Sequence, residues 1–153
     1  MNPVEQTRST GSGQDKPFDA VCVGILVADI FCPPLREPPR PGELVVVDDL
    51  PLDAGGCAVN TGVSLTKLGA KVALIGKVGN DVFGDFIINL MGEKGLATSG
   101  IRRSEKSPTS RTMIIPVIGQ DRRFIHTFGA NAELTYEDVD LDLVAKGKVL
   151  YVG

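Results

Sequence analysis

Hydrophobic residues along this chain follow two periods, and the switches between them mark its elements. Phe18–Leu26 (FDAVCVGIL) is a short continuous apolar run rich in β-branched residues, the pattern of a strand buried on both faces. Gly56–Leu68 carries its apolar residues at helical spacing. Val59, Val63 and Leu68 share one face there, while Ala58, Gly62 and Ser64 keep the surface thin enough for close approach. Gly69 stands where a helix C-terminal glycine is expected. Lys71–Lys77 (KVALIGK) reads as a second buried strand. Val82–Lys94 reads as an amphipathic helix, with Phe83, Phe86, Ile87, Leu90 and Met91 in register and Gly95 closing it. Strand, helix, strand, helix in this order predicts an α/β fold with a mostly parallel sheet and right-handed crossovers. Further on, Gly129–Ala130–Asn131 is a turn, and Thr135 is placed to cap a helix whose first turn holds Glu137 and Asp138. Lys148–Val152 (KVLYV) is a last buried strand. Buried parallel strands need cover on both faces, so the sheet is expected to continue in a C-terminal half beyond this chain.

Two stretches interrupt the alternation. Pro33–Pro41 (PPLREPPRP) holds five prolines, which exclude a helix or a central strand and predict an extended excursion. Glu43–Asp48 (ELVVVD) then reads as a strand, and the connection Phe31–Asp53 is too long for a simple βα loop. Arg111–Ile118 and Arg123–Phe128 flank the tight loop Gly119–Arg122 and predict a β-hairpin. Its first strand is apolar on both faces, with Met113, Ile115 and Val117 on one and Ile114 and Ile118 on the other. Pro116 marks an edge or a bulge. The two stretches, about 31–53 and 111–128, are expected to form one small β lid. One face packs on its own domain; the other needs a ligand or a partner subunit.

Composition narrows the possibilities. The chain has 153 residues, 42% hydrophobic and 23% charged, enough for one real core over 18–153. Residues 1–17 are polar, lack the apolar centre of a signal peptide and read as a disordered tail. A formal net charge of −3 excludes the basic footprint of a nucleic-acid surface, and the pairs Arg102–Arg103 and Arg122–Arg123 read as solvated face. No apolar run is long enough to cross a bilayer as a helix. Three cysteines, no Cys-x-x-Cys pair and the single His126 exclude zinc-ligand spacing and fit a reducing, cytoplasmic setting.

The chemistry gathers around Gly55–Gly84, which holds seven glycines. A double glycine opening a small-residue helix can present free backbone N–H groups to a ligand. Asp29 is expected just past the carboxyl end of the first strand, where open α/β sheets bind ligands. On position alone a turn or capping aspartate explains it equally well. Asn60 can bond its own helix N-terminus, and His126 on an aromatic-flanked strand can be simple packing. No Gly-x-x-x-x-Gly-Lys-Ser/Thr phosphate loop occurs.

Gly55–Gly56, Asn60, Gly69 and Gly79 stand at the spacing of the first signature of the ribokinase (PfkB) family of carbohydrate kinases, which the chain resembles from Phe18 to its end. Asp29, Pro41–Gly42–Glu43, Gly79–Asn80–Asp81 with Gly84, and Gly129–Ala130–Asn131 accompany that signature in the right order. The resemblance implies a ribokinase-like fold and a kinase that uses ATP and Mg2+ to phosphorylate a hydroxyl of a sugar or polyol. It implies that Asp29 accepts hydrogen bonds from substrate hydroxyls, that Gly55 and Gly56 admit the sugar to backbone N–H groups, and that Asn60 bonds another hydroxyl. Met113, Ile115 and His126 would face the substrate from the lid. Val27 and Cys57 replace two polar sugar contacts of ribokinases, which argues against ribose, and Gly62 replaces a small Ser, Thr or Ala. The family's second signature, with its anion hole and catalytic aspartate, is absent from these residues, so the base and most of the ATP site are expected in the C-terminal half. The 153-residue chain alone is then expected to be inactive. Two alternatives stay open: a nucleoside kinase of the same family, and a non-catalytic module that forms a homodimer through the lid.

Overall fold

The computed structural model describes residues 16–153. The elements follow in the order β1 (Phe18–Val23), β2 (Val27–Phe31), β3 (Leu52–Gly55), α1 (Cys57–Lys67), β4 (Val72–Gly79), α2 (Val82–Glu93), β5 (Ala97–Ser104), β6 (Arg111–Ile115), β7 (Arg123–Thr127), α3 (Leu141–Ala145) and β8 (Gly147–Val152). Short 3-10 helices at Gly129–Glu133 and Tyr136–Asp138 lie between β7 and α3. Of the expected disordered tail, residues 1–15 lie outside the described residues. Lys16 is tied down, its Nζ donating to the Gly147 carbonyl at 2.9 Å.

A four-stranded sheet in the order β5-β4-β1-β8 forms the core, and every neighbouring pair in it is parallel. Strand alternation divides its apolar residues between two layers. Ala20, Cys22, Val72 and Leu74 pack with Ala58, Val59, Ile87 and Met91 of α1 and α2. Val21, Val23, Ala73 and Ile75 pack with Leu143 of α3. Each fully buried Val, Leu or Ile contributes about 1.5–3 kcal/mol, so the continuous apolar runs of β1 and β4 are what a sheet covered on both faces requires. None of the helices among the described residues is long and apolar enough to cross a membrane.

The second sheet, in the order β3-β2-β6-β7, is built largely from the segments expected to form the β lid, and is called the lid below. It is mixed: β2 runs antiparallel to β3 and parallel to β6, and β6–β7 is the expected antiparallel hairpin. Several details differ from the sequence reading. Phe18–Leu26 is not one strand; the chain breaks at Gly24–Leu26, and β2 carries on into the lid. Glu43–Asp48 makes no ladder, and the lid strand is Leu52–Gly55 instead. Val45 and Val47 hold the segment by seating side chains in an apolar cup, while Leu44 and Val46 point outward. β6 ends at Ile115, just before Pro116 and three residues short of Ile118, leaving Val117 buried and bridged to Leu35. Leu68 caps α1 and is 84% exposed rather than sharing its buried face. The helix after Thr135 is a single 3-10 turn with a capping box, and Asp140 caps the separate α3.

One polar knot joins core to lid. Asp81 caps α2 by accepting from the Gly84 amide at 2.9 Å. It also accepts from the Thr109 amide at 2.8 Å and the Thr109 hydroxyl at 2.6 Å, on the segment leading into β6. Burial pushes the Asp81 carboxyl up, but the bonds from Thr109 and Gly84 and the charge of Arg111 outweigh it, and the pKa is lowered. A lowered native pKa gives stability that is present above the unfolded value, about 3.9, and is lost as pH falls through the native value. Asp81→Ala is therefore expected to cost about 2 kcal/mol in urea unfolding at neutral pH, with the gap to the parent closing in strong acid. An equal gap at both pH values would place the effect in packing instead of the carboxylate.

Candidate functional site

Strand register assembles a polar row across the lid. Asp29 pairs with Asp53 of β3 on one side and with Thr112 of β6 on the other, and Thr112 pairs with His126 of β7. Residues opposite one another project from the same face, so one row crosses all four strands. Thr112 Oγ1 lies 3.0 Å from His126 Nδ1. The His126 ring meets Phe128 edge to face, with centroids 4.8 Å apart. Around Asp29, Thr112 and His126 opens a cavity of about 290 Å³, walled by Ile25, Val27, Ile114 and Phe124 and floored by Gly56. Half-buried Asp29 has its pKa raised: burial pushes it up and the neighbouring Asp53 adds to that, against the hydrogen bond of Thr112 and the charge of His126.

Asp29 sits in the middle of β2, not in a turn beyond β1 as its position after the first apolar run suggested. The double glycine makes room for it. A Cβ on Gly55 would collide with the Asp29 carboxylate, and one on Gly56 would collide with the Ile25 carbonyl. Gly56 also holds φ 99°, in the region that favours glycine, and leaves the start of α1 without a side-chain cap. Asp29, Gly55, Gly56 and His126 are thus brought together. Asn60 is exposed on α1 and lines a neighbouring polar cavity of about 340 Å³ with Asp53, Ser64, Lys67 and Lys94. It approaches the row through Asp53.

Met113 and Ile115 are not part of this cavity, and the expectation that they share a face with His126 is corrected. Strands alternate faces with period two, and Thr112 is the residue in register with Asp29, so the odd-numbered β6 side chains point the other way. They line an apolar cup of about 230 Å³ with Ile30, Leu35, Val45 and Val47. Sequence reasoning missed Thr112 and Phe124 in the cavity. Alternation from His126 reaches Phe124, whereas Thr112 follows only once the register is known.

Asn131 was read as a turn residue, but its side chain does more. Its Oδ1 accepts from the Leu26 amide at 3.1 Å and its Nδ2 donates to the Leu26 carbonyl at 2.8 Å. These bonds fix the junction between β1 and β2, three residues before Asp29. Lys77 is occupied elsewhere: its Nζ donates to both Asp138 oxygens at 2.9 and 3.0 Å and lowers that carboxyl's pKa. No group of three or more His, Cys, Asp or Glu able to hold a metal occurs among the described residues.

Comparison with known proteins places the chain in a family. The family model described as pfkB family carbohydrate kinase matches residues 18–153. The chain is 28% identical over 91% of its length to the 5-dehydro-2-deoxygluconokinase of Photobacterium profundum, covering 41% of that protein. It is 29% identical over 65% of its length to a fructokinase of Solanum tuberosum, covering 32% of it. Among solved structures it superposes on a sugar kinase of Pyrococcus horikoshii in complex with ATP, with TM-score 0.72 and 28% identity over 88% of this chain and 42% of that one. The ribokinase of Arabidopsis thaliana complexed with ribose and ATP gives TM-score 0.74 at 25% identity, over 88% and 45% of the respective chains. The chain therefore spans less than half the length of the relatives it matches.

Leu26 is fully buried, so its main-chain groups depend on Asn131. Asn131→Ala should cost about 2 kcal/mol in denaturant unfolding and speed amide exchange at Leu26 and along β2 more than along β4. Asn131→Asp, which can accept but not donate as a carboxylate, should fall between. Unchanged exchange at Leu26 in the alanine variant would show that the junction does not rely on this side chain.

Proposed function

Because the chain belongs to the pfkB family of carbohydrate kinases, we propose that it supplies the acceptor-binding part of an ATP-dependent kinase for a sugar or related polyol. The complete protein transfers the γ-phosphoryl group to a substrate hydroxyl. The observation that carries this reading is the Asp29 carboxylate, set in a cavity beside the two glycines whose missing side chains leave it room. A carboxylate accepts hydrogen bonds only, and a polyol offers hydroxyl donors. Asp53 and Asn60 extend the polar surface along α1 for further hydroxyls. Loss of water when the lid closes strengthens each of these contacts.

ATP carries over as cosubstrate from the Pyrococcus and Arabidopsis kinases, both solved with it, and Mg2+ accompanies it because the triphosphate charge needs neutralising. No residue of this chain is assigned to either. The catalytic base belongs to the part of the family fold that this chain does not span. The three cysteines are unpaired, which fits a reducing, cytoplasmic setting.

Two observations favour second readings. The apolar walls Ile25, Val27, Ile114 and Phe124 suit a nucleoside whose base lies against the lid. The exposed lid residues Leu44, Val46, Ile118 and Phe128 suit pairing of two copies through the lid. A panel of sugars and nucleosides assayed for ADP release with the full-length protein separates the substrates, and sedimentation of the 153-residue chain tests the pairing.

In the full-length protein, Asp29→Asn is expected to lower kcat/KM for the true acceptor on the order of 100-fold, since a substrate contact strengthened by lid closure is weakened. Near-parental kinetics would remove Asp29 from the site. The 153-residue chain alone is expected to release no ADP in the presence of acceptor and ATP; measurable phosphorylation by it would relocate the catalytic base to these residues.

A further inference from the structure

Asn131 can hold the β1–β2 junction only if its own backbone is held. It lies on the short 3-10 helix Gly129–Glu133, which is anchored at both ends. At the start, the Ala130 amide donates to the Pro108 carbonyl at 2.8 Å, and Ala130 is fully buried. At the end, the Glu133 carboxylate accepts from the Ser104 hydroxyl at 2.5 Å and from the Ser107 hydroxyl. Pro108, Ser107 and the end of β5 at Ser104 all lie on the path from β5 to β6.

Glu133 is not placed like a solvated glutamate. Its carboxylate makes no ion pair among the described residues. Lys77 Nζ goes instead to Asp138 and, at 3.3 Å, to the Glu133 main-chain carbonyl. Ser104 is 3% exposed, and its Oγ accepts from the amides of Lys106 at 3.1 Å and Ser107 at 3.0 Å. Its lone pairs are thereby used, and its one proton needs an acceptor that is not water. A carboxylate only accepts, so it takes that proton and the Ser107 proton together. The same path reaches β2 a second way, because the Ser110 carbonyl accepts from the Ala28 amide at 2.9 Å. Leu26 and Ala28 are thus tied to one segment, Leu26 through Asn131 and Ala28 directly, and Asp29 is the next residue.

We infer that Glu133 is a positioning residue for Asp29: clamped by Ser104 and Ser107, it fixes the helix whose Asn131 holds the start of β2. Glu133 does not line the cavity beside Asp29, so it acts only through that chain of bonds. That Asp29 serves an acceptor hydroxyl rests on the reading given above, whereas the clamp does not.

In the full-length protein, Glu133→Ala should speed amide exchange over residues 24–30 about tenfold and leave β4 unchanged. It should raise KM for the acceptor about tenfold, the size of one lost hydrogen bond, with KM for ATP unchanged. A glutamine keeps an acceptor for Ser104 and gives its amide to Ser107, whose hydroxyl can turn to accept. Glu133→Gln should therefore stay near the parent on both readouts. Ser107→Ala removes one of the two bonds and should fall between; it carries the test if Glu133→Ala does not fold. In an Asn131→Ala background, Glu133→Ala should add little, since the two residues act in series. Additive effects, or exchange that rises equally in β4, would overturn the inference. Faster exchange over 24–30 with an unchanged acceptor KM would refute the role toward Asp29. If the parent phosphorylates no sugar or polyol, the acceptor reading falls, and the exchange measurements decide the clamp by themselves.

Discussion

The site depends on how the chain leaves one sheet and enters another. Between β1 and β2 the backbone turns out of the parallel ladder at Gly24–Leu26, and Leu26 is fully buried as it does so. A buried amide and carbonyl without partners would each cost about 1–3 kcal/mol, and neither sheet can pair with both groups. The Asn131 side chain is an amide like the backbone itself, so it offers the donor and the acceptor a neighbouring strand would have offered. Asp29 follows three residues later, about 10 Å along an extended strand. Asn131 thus helps fix where β2 leaves the core sheet, together with the ladders to β3 and β6.

Register then decides what shares a face with Asp29. A slip of one residue between β2 and β6 would replace Thr112 and Ile114 by Met113 and Ile115 and leave the carboxylate on an apolar wall. The observed pairing costs something, because Asp53 stands beside Asp29 and raises its pKa further. Thr112 and His126 offset that on the opposite side. The glycines of the first signature fit the same scheme, since any side chain at Gly55 would occupy the space of the carboxylate.

β1 and β4 were legible in the sequence because they are buried on both faces and read as unbroken apolar runs, and α1 and α2 carry a 3.6-residue period; β8 reads as a buried strand too, yet Val149, Leu150 and Val152 are exposed. What was not legible follows from the same physics. β5 (ATSGIRRS) escaped notice because an edge strand with Arg102 and Arg103 toward solvent and a glycine against the Leu74 carbonyl shows neither pattern. Phe18–Leu26 hid its own interruption, since Leu26 is as buried as the strand before it. Glu43–Asp48 has the composition of a strand but is held by its side chains, so composition pointed to a ladder that burial did not need. Asp29, the two glycines and His126 were visible as residue types. That Thr112, and not Met113 or Ile115, joins them depends on a register between segments more than 80 residues apart, which no local pattern encodes.

The chemistry of the row also limits what can dock there. Asp53, Asp29 and Thr112 offer negative charge and hydroxyl groups, and Lys77 is bound to Asp138. A phosphoryl group needs the reverse: cations and convergent N–H donors around its oxygens. The cavity beside Asp29 would repel a triphosphate and attract hydroxyls. In the phosphotransfer reaction proposed above, this surface suits the acceptor and not the phosphoryl donor. The glycine-rich start of α1 looks, as a motif, like a phosphate cradle, but the Asp29 carboxylate directly against Gly55 makes it a poor place for an anion.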